Sequence, residues 1–325
     1  MKYTFLICTK NSERLIKDVL ESIINQTKLN FEYNVLIVDY KSSDKTLEIS
    51  KKVCRLHDVS LSILESESGG KSSALELGLD TAIGEYVIIL DDDNIIRSDY
   101  LCEANKIINN KIGCLGARGV ADAELDYPSW FNRYQGWYAV GMAGKGKFKD
   151  WVWGAGTIVN KNAWVDIRNK GFKFILNPER KSQTHPIAIG GEDVELALAI
   201  KLAGYTIKSN ANLVYTHKFK QDRLTLNYLT NNSYGVGKSH VIHELYKMII
   251  TNENIRMPKL MWTQRISRIM VGYLYRTIIN LVKFNLIDSK FNLVILSAIF
   301  AGHNLFKKEF HDFYNNITKL KHKSI

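Results

Sequence analysis

The chain has 325 residues, 46% apolar and 24% charged, a balance that leaves room for a sizeable core and excludes a disordered or low-complexity chain. Its net charge of +11 belongs to the last third: up to His217 the 27 Lys+Arg and 27 Asp+Glu cancel, and from Lys218 onward 17 basic residues face 6 acidic ones. A neutral body with a basic end points to an anionic surface met by that end, while four scattered cysteines without a Cys-x-x-Cys pair give no disulfide framework and no zinc finger.

Short β-prone apolar runs alternate with helical patterns from the start, predicting strands at Tyr3 to Cys8, Tyr33 to Val38, Leu61 to Leu64 and Tyr86 to Leu90. The first run is too short, and too little preceded by positive charge, for a secretory signal, so a cytosolic setting is expected. Between the first two strands Leu15, Ile16, Val19, Leu20, Ile23 and Ile24 recur at helical spacing, with Asn11 or Ser12 as the expected cap. Sheets of this kind bind ligands beyond the carboxyl ends of their strands, which directs attention to the polar residues after Cys8, Val38 and Leu90.

From about Ala121 to Gly156 the chain is rich in Trp, Tyr and Gly without periodicity and reads as loops over a cleft. A helical pattern through Val194, Leu196, Leu198, Ile200 and Leu202 stops at Gly204, and a strand is predicted from Thr206 toward His217. The last hundred residues are helical in pattern. Within 259–284, Arg265, Arg268, Arg276 and Lys283 form a basic stripe beside an apolar side of Met270, Leu274, Ile278 and Leu281. The longest uncharged apolar run there, Phe291 to Phe300, is too short to span a bilayer.

The sharpest chemical feature is Asp91-Asp92-Asp93-Asn94, directly after an apolar strand. Three adjacent carboxylates repel one another and call for a cation, and oxygen ligands suit Mg²⁺ or Mn²⁺. Gly69-Gly70-Lys71-Ser72 is not a P-loop, because Glu65 stands where that motif needs glycine. His243-Glu244 begins like a zinc-protease motif, but Lys247 occupies the place of the second histidine.

Taken in order, Ile7-Cys8-Thr9-Lys10-Asn11, the Val38-Asp39-Tyr40-Lys41-Ser42-Ser43-Asp44 turn, the Asp triplet, Gly154-Ala155-Gly156 and Gly190-Gly191-Glu192-Asp193 resemble the motifs of family 2 glycosyltransferases. The resemblance implies an α/β chain of the GT-A (Rossmann-like) fold: a mostly parallel sheet flanked by helices over residues 1–217, with a basic helical C-terminal extension over 218–325. It implies that Asp39 contacts the base of a nucleoside-diphosphate sugar, with a leaning to uridine, and that Thr9 lies beside it. Asp91 and Asp92 would serve the ribose side, Asp93 the metal, and Lys71 a phosphate. Asp193 would be the general base of an inverting displacement, and His217 would sit near the metal or diphosphate. Glu76 stands where the family usually has Asn. Trp130, Trp137 and Trp153 could stack on sugar rings or simply pack.

Implied partners are the nucleotide-sugar donor and a saccharide or lipid-linked acceptor in surface-polysaccharide or glycolipid synthesis. The basic amphipathic 259–284 segment fits a peripheral seat on the inner, anionic face of the cell membrane, or packing on the body or on a second copy in a homo-oligomer. Nucleic acid is not an expected partner, since no recognised binding motif accompanies the charge. Two other functions stay open: a nucleotidyltransferase acting on sugar phosphates, and a non-catalytic sugar-nucleotide-binding protein at a membrane.

Overall fold

The computed structural model describes residues 2–27, 32–67, 70–123, 126–143, 151–177, 189–219, 221–252 and 255–322. Gly69 therefore lies outside the described residues. The chain opens with β1 (Tyr3–Thr9), α1 (Ile16–Ile24), β2 (Tyr33–Asp39), α2 (Thr46–Leu56), β3 (Leu61–Glu65), α3 (Lys71–Thr81) and β4 (Tyr86–Asp91). All four strands form where the apolar runs predict them. β1, β2 and β4 are almost entirely buried, because helices cover both faces of a parallel sheet and their side chains have no wet side to alternate toward.

Helix α1 buries Ile16, Val19, Leu20 and Ile23, the predicted face. Neither Asn11 nor Ser12 caps it. Asn11, at φ +53°, accepts the Ser43 N–H at 2.8 Å, and the Ser12 hydroxyl donates to the Asp92 carbonyl at 3.1 Å. The carboxyl ends of the parallel strands lie side by side, so these polar groups tie neighbouring turns together.

The chain continues through β5 (Asn94–Ile96), α4 (Tyr100–Asn105), β6 (Ile112–Ala123), α5 (Phe131–Tyr134), β7 (Gly141–Met142), β8 (Thr157–Asn160), α6 (Lys161–Asn169), α7 (Glu192–Leu202) and β9 (Thr206–Phe219). The sheet runs β3-β2-β1-β4-β8-β6-β9-β5, with β7 attached to β6. The expectation of a mostly parallel sheet holds for β3, β2, β1 and β4. Beyond them β8 lies antiparallel to both β4 and β6, β5 is antiparallel to β9, and the whole is a mixed sheet. β6 begins before the stretch expected to be loops and runs into it.

Four helices complete the chain: α8 (Leu226–Thr251), α9 (Pro258–Val282), α10 (Leu286–Phe306) and α11 (Phe310–Lys319). One sheet face packs on α1, α2 and α4. The core under the other face runs through α3, α6 and α7 and continues without a break into α8, α9, α10 and α11. The apolar run Phe291 to Phe300 lies inside a longer helix, α10, whose 21 residues and mean hydropathy of 1.2 would suffice by length and composition to cross a bilayer. Its Phe291, Ile295, Ala298, Ile299 and Phe306 are buried and Gly302 lies against the backbone of α8, while Leu293 and Phe300 on its other side are 47% and 56% exposed.

Helix α9 buries Trp262, Ile266 and Thr277. The apolar side read from the sequence lies largely outward, with Leu274 46%, Ile278 52% and Leu281 50% exposed.

Candidate functional site

The expected site residues converge where the parallel strands end. Asp39 closes β2, is buried, and accepts the Ser42 N–H at 3.0 Å and the Ser42 hydroxyl at 2.5 Å. This turn fixes the carboxylate while leaving acceptor capacity on each oxygen. On the adjacent strand the Thr9 hydroxyl donates to Asp92 at 2.7 Å.

The three aspartates do not share one cation. Asp91 takes the Lys71 ammonium at 2.5 Å, Asp92 takes Thr9, and Asp93 faces His217 and Arg223. Repulsion within the triplet is thus relieved by separate partners for each aspartate, because the chain turns directly after β4. Burial raises the Asp92 carboxyl above its ordinary value, with the Thr9 hydrogen bond opposing. Lys71 opens α3, which lies so close to β1 that a Cβ on Gly78 would fall 2.3 Å from Leu6 Cδ1. Burial works against its charge, but Asp91 and Glu192 outweigh burial and raise its pKa. Its side chain still exposes 36%, so solvent weakens that attraction.

Asp93 and His217 meet through the pairing of β5 with β9, in which Asn94 stands opposite His217. The Asp93 side chain exposes only 4%; Arg223 Nη1 is 2.7 Å from its Oδ2 and His217 Nε2 is 3.3 Å from its Oδ1. Burial pushes this carboxyl up, but the His217 hydrogen bond, then the charges of His217 and Arg223, prevail and hold it at about 2. His217 Nδ1 lies 2.9 Å from the Tyr138 carbonyl.

Among the described residues there is no group of three or more His, Cys, Asp or Glu side chains arranged to hold a metal. An Asp–His pair nevertheless fits Mg²⁺ or Mn²⁺ bound through few protein ligands, with water and phosphate oxygens filling the other positions. Arg223, which the sequence reading missed, stands beside that pair as the competing cation. Its only sequence signal is a basic residue six positions after His217.

On the opposite side of the cleft Asp193 lies in the first turn of α7. Its Oδ2 accepts the Gly154 N–H and its Oδ1 the Val194 N–H, both at 2.8 Å. The expected glycine turn and Glu-Asp helix start therefore form one unit. A Cβ added to Gly154 would lie 3.8 Å from both Lys71 Nζ and Asp193 Oδ2, so Gly154 borders both the cluster on the Asp91 side and Asp193. Burial raises the Asp193 carboxyl, Lys71 opposing, and pushes its neighbour Glu192 up to about 7.

The turn before α7 is held by α8. His243 Nε2 is 2.9 Å from the Gly191 carbonyl, and Gly191, at φ +95°, would carry a Cβ only 2.6 Å from Ser239 Oγ and 2.8 Å from His243 Cε1. Only glycine meets both the backbone angle and the contact. Behind it Glu195, fully buried, accepts the Ile175 and Leu176 N–H groups, each at 2.9 Å.

Trp137 and Trp153 line a cavity of about 710 Å³ that includes Asp193, whereas Trp130 packs beside Tyr134. Glu76 pairs with Arg168 of α6 at 2.6 Å, a structural contact between helices.

Residues 4–165 match the family model described as glycosyl transferase family 2. The chain is similar to the poly(ribitol-phosphate) beta-N-acetylglucosaminyltransferase TarS of Staphylococcus aureus, 34% identical over 109 residues, 34% of this chain and 19% of that protein. It is also similar to a beta-monoglucosyldiacylglycerol synthase of Trichormus variabilis, 30% identical over 129 residues, covering 38% and 27%. The match thus spans well under a third of either relative's length.

Among solved structures, the mannosyltransferase PcManGT of Pyrobaculum calidifontis with GDP-Man and Mn²⁺ superposes at a TM-score of 0.57, with 18% identity over 98% of this chain and 84% of that one. S. aureus TarS 1-349 with UDP-GlcNAc superposes at 0.56, with 17% identity over 98% and 91%. These likenesses establish the GT-A fold. With the matched domain reaching from residue 4 to residue 165 and the motifs clustered at the strand ends, the chain belongs to glycosyl transferase family 2.

Proposed function

We propose that this chain transfers a sugar from a nucleoside-diphosphate sugar, with UDP as the favoured carrier, to a hydroxyl of a saccharide or lipid-linked acceptor, inverting the anomeric centre. The observation that carries this reading is that Lys71, paired with Asp91, and Asp193 both lie close to Gly154, which sets a donor-side cation near an acceptor-side carboxylate. Asp193 takes the proton of the acceptor hydroxyl, whose oxygen bonds to the anomeric carbon as the bond to the diphosphate oxygen breaks. Asp39 and Thr9, with Asp92, hold the nucleoside, while Lys71 and Arg223 face the departing diphosphate. Asp93 and His217 would hold Mn²⁺ or Mg²⁺, which supplies Lewis-acid stabilisation of the leaving group when bound.

Incubation with UDP- and GDP-sugars, with Mn²⁺ or with chelator, tests this. Release of the nucleoside diphosphate from one donor is expected, falling at least about tenfold on chelation. With UTP or GTP and a sugar 1-phosphate offered in a parallel sample, release of pyrophosphate would mark a nucleotidyltransferase. Nucleotide binding with no turnover, with or without acceptors, would mark a binding protein.

The domain division proposed is 1–217 for catalysis and 218–325 for the helical region, with α8 serving both. The outer side of α9 and the turn after it support a peripheral, cytoplasmic seat on an anionic membrane: Val271, Tyr275, Val282 and Phe284 are 63% or more exposed, and Arg268, Arg276 and Lys283 lie close to them in sequence. Co-sedimentation with vesicles containing phosphatidylglycerol, but not with pure phosphatidylcholine, is expected. It should weaken about tenfold in Phe284→Asp, by loss of one buried aromatic anchor. Equal binding to both vesicle types, or a concentration-dependent dimer that Phe284→Asp dissociates, would assign this face to a second copy.

A further inference from the structure

Where α8 hands over to α9, three arginines line one cavity. Arg256, Arg265 and Arg268 share a space of about 550 Å³, the volume of a small-molecule site, with Met257, Leu260 and Met261. Among the described residues it has no lining residue in common with the cavity beside Asp193. Lys321, beyond α11, adds a fourth cation at the rim, its ammonium 3.2 Å from the carbonyl of the lining residue Asn252.

Holding these charges together is unfavourable without an anion. Arg265 and Arg268 are neighbours one turn apart on α9, where like charges repel. Glu244 offsets part of this, but its carboxylate is 2.9 Å from Lys247 and 3.8 Å from Arg265 Nη1, so two cations draw on one anion. Glu253, the next acidic residue in sequence, lies outside the described residues and brings a single charge against three guanidiniums. Arg265 Nη2 donates to the Thr251 hydroxyl at 3.1 Å, which orients the guanidinium and leaves it further N–H groups. The forked donors of arginine match the oxygens of a phosphate.

The apolar part of the lining decides what carries that phosphate. Met257 and Leu260 are 64% and 47% exposed in the same cavity as the arginines, which a free inorganic anion gives no reason for. Leu260, Arg268, Val271, Tyr275, Ile278 and Val282 follow one another at helical spacing along one stripe of α9, and the four apolar residues after Arg268 are at least 52% exposed. A lipid at an interface presents the same pairing, a charged phosphate beside glycerol and acyl carbons, to a helix lying in that plane.

We propose that this cavity binds the phosphate of an anionic membrane lipid, with Arg256, Arg265 and Arg268 on the phosphate oxygens and Met257 and Leu260 against the glycerol and first methylenes. It rests on the peripheral membrane seat of α9 and sets a headgroup site within it.

Calorimetry of the full chain with dihexanoyl phosphatidic acid, below its micelle concentration, reads the cavity without a membrane. Saturable binding is expected, with Kd at least about tenfold below that of glycerol 3-phosphate, the share of roughly two buried methylenes. Arg256→Gln and Arg268→Gln, both at exposed positions, should each raise that Kd about tenfold by loss of a charge-assisted hydrogen bond, with Tm unchanged. Dihexanoyl phosphatidylcholine, whose choline offsets the phosphate charge, should bind at least about tenfold more weakly.

Glycerol 3-phosphate binding as tightly as the lipid assigns the cavity to a soluble phosphate and overturns the proposal, and inorganic polyphosphate binding more tightly than the lipid assigns it to a polyanion and does the same. No binding of the lipid, or a Kd that neither arginine variant changes, also overturns it. Phe284→Asp, outside the cavity, keeps the two readings apart: it should weaken sedimentation with vesicles and leave the Kd for the monomeric lipid unchanged. Monomeric lipid bound by a chain that ignores vesicles sinks the membrane seat and supports the phosphate site; vesicles bound by a chain that ignores the monomeric lipid sink the phosphate site alone.

Discussion

Asp193→Asn is expected to lower kcat for sugar transfer by roughly 10²–10⁴-fold, the usual contribution of a positioned general base. Asparagine keeps the oxygen that accepts the Gly154 or Val194 N–H but cannot take the acceptor proton, so UDP affinity should stay close to that of the parent protein. The pH profile supplies a second readout. Burial raises the Asp193 carboxyl above its ordinary 3.8, and a base must be ionised to act, so activity falls as pH drops through a value above 3.8. This acid limb should disappear from whatever activity Asp193→Asn retains. A variant that turns over like the parent, with the same acid limb, removes Asp193 as the base.

Asp93→Ala is expected to cost several kcal/mol of transition-state stabilisation, on the order of 10²–10³-fold in rate, and to abolish the response to Mn²⁺. The site explains why this aspartate and not its neighbours carries the effect. Its side chain is 4% exposed and faces both His217 and Arg223, whereas Asp91 and Asp92 are engaged by Lys71 and Thr9. Removing Asp93 also leaves the Arg223 guanidinium partly buried without its carboxylate, so a lower Tm should accompany the lost activity. Asp93→Asn, which preserves shape, separates the two effects: Tm should largely recover while the Mn²⁺ response stays absent. Nucleotide release measured across a Mn²⁺ titration decides it, and an unchanged Mn²⁺ dependence in either variant would falsify the assignment of Asp93 to the metal.

Much of the site was legible because its residues belong to short local patterns. Asp39, Asp91 to Asp93 and Asp193 each follow an apolar strand or open a helix, and strand ends of one sheet come together whatever the loops do. Arg223 and His243 carried no such pattern. Arg223 belongs to a turn after β9, and nothing local says that β9 pairs with β5 and so brings it to Asp93. His243 looked like a broken zinc motif because its partner, the Gly191 carbonyl, is 52 residues away.

The partition of the fold follows the same physics. Strands β1 to β4 and helices α1 and α7 could be drawn from the chain alone, the strands as short apolar runs, α1 from its helical spacing and α7 from a longer apolar stretch closed by Gly204. β6 could not, because Ile112-Gly-Cys-Leu-Gly-Ala-Arg-Gly mixes glycines into a short apolar run, and only β8 and β9 on either side make it a strand. Helix α9 was recognised as amphipathic, but not which of its residues face the body: its apolar residues nearly surround it, and contact with α8 and α10 decides that Trp262 and Ile266 go inward. The sequence by itself thus determined the parallel half of the sheet, the family motifs and the basic end. Tertiary structure alone decided the mixed half of the sheet, the separate partners of the three aspartates and the hold of α8 on the turn before α7, because these depend on pairing between residues far apart in sequence, which no local pattern encodes.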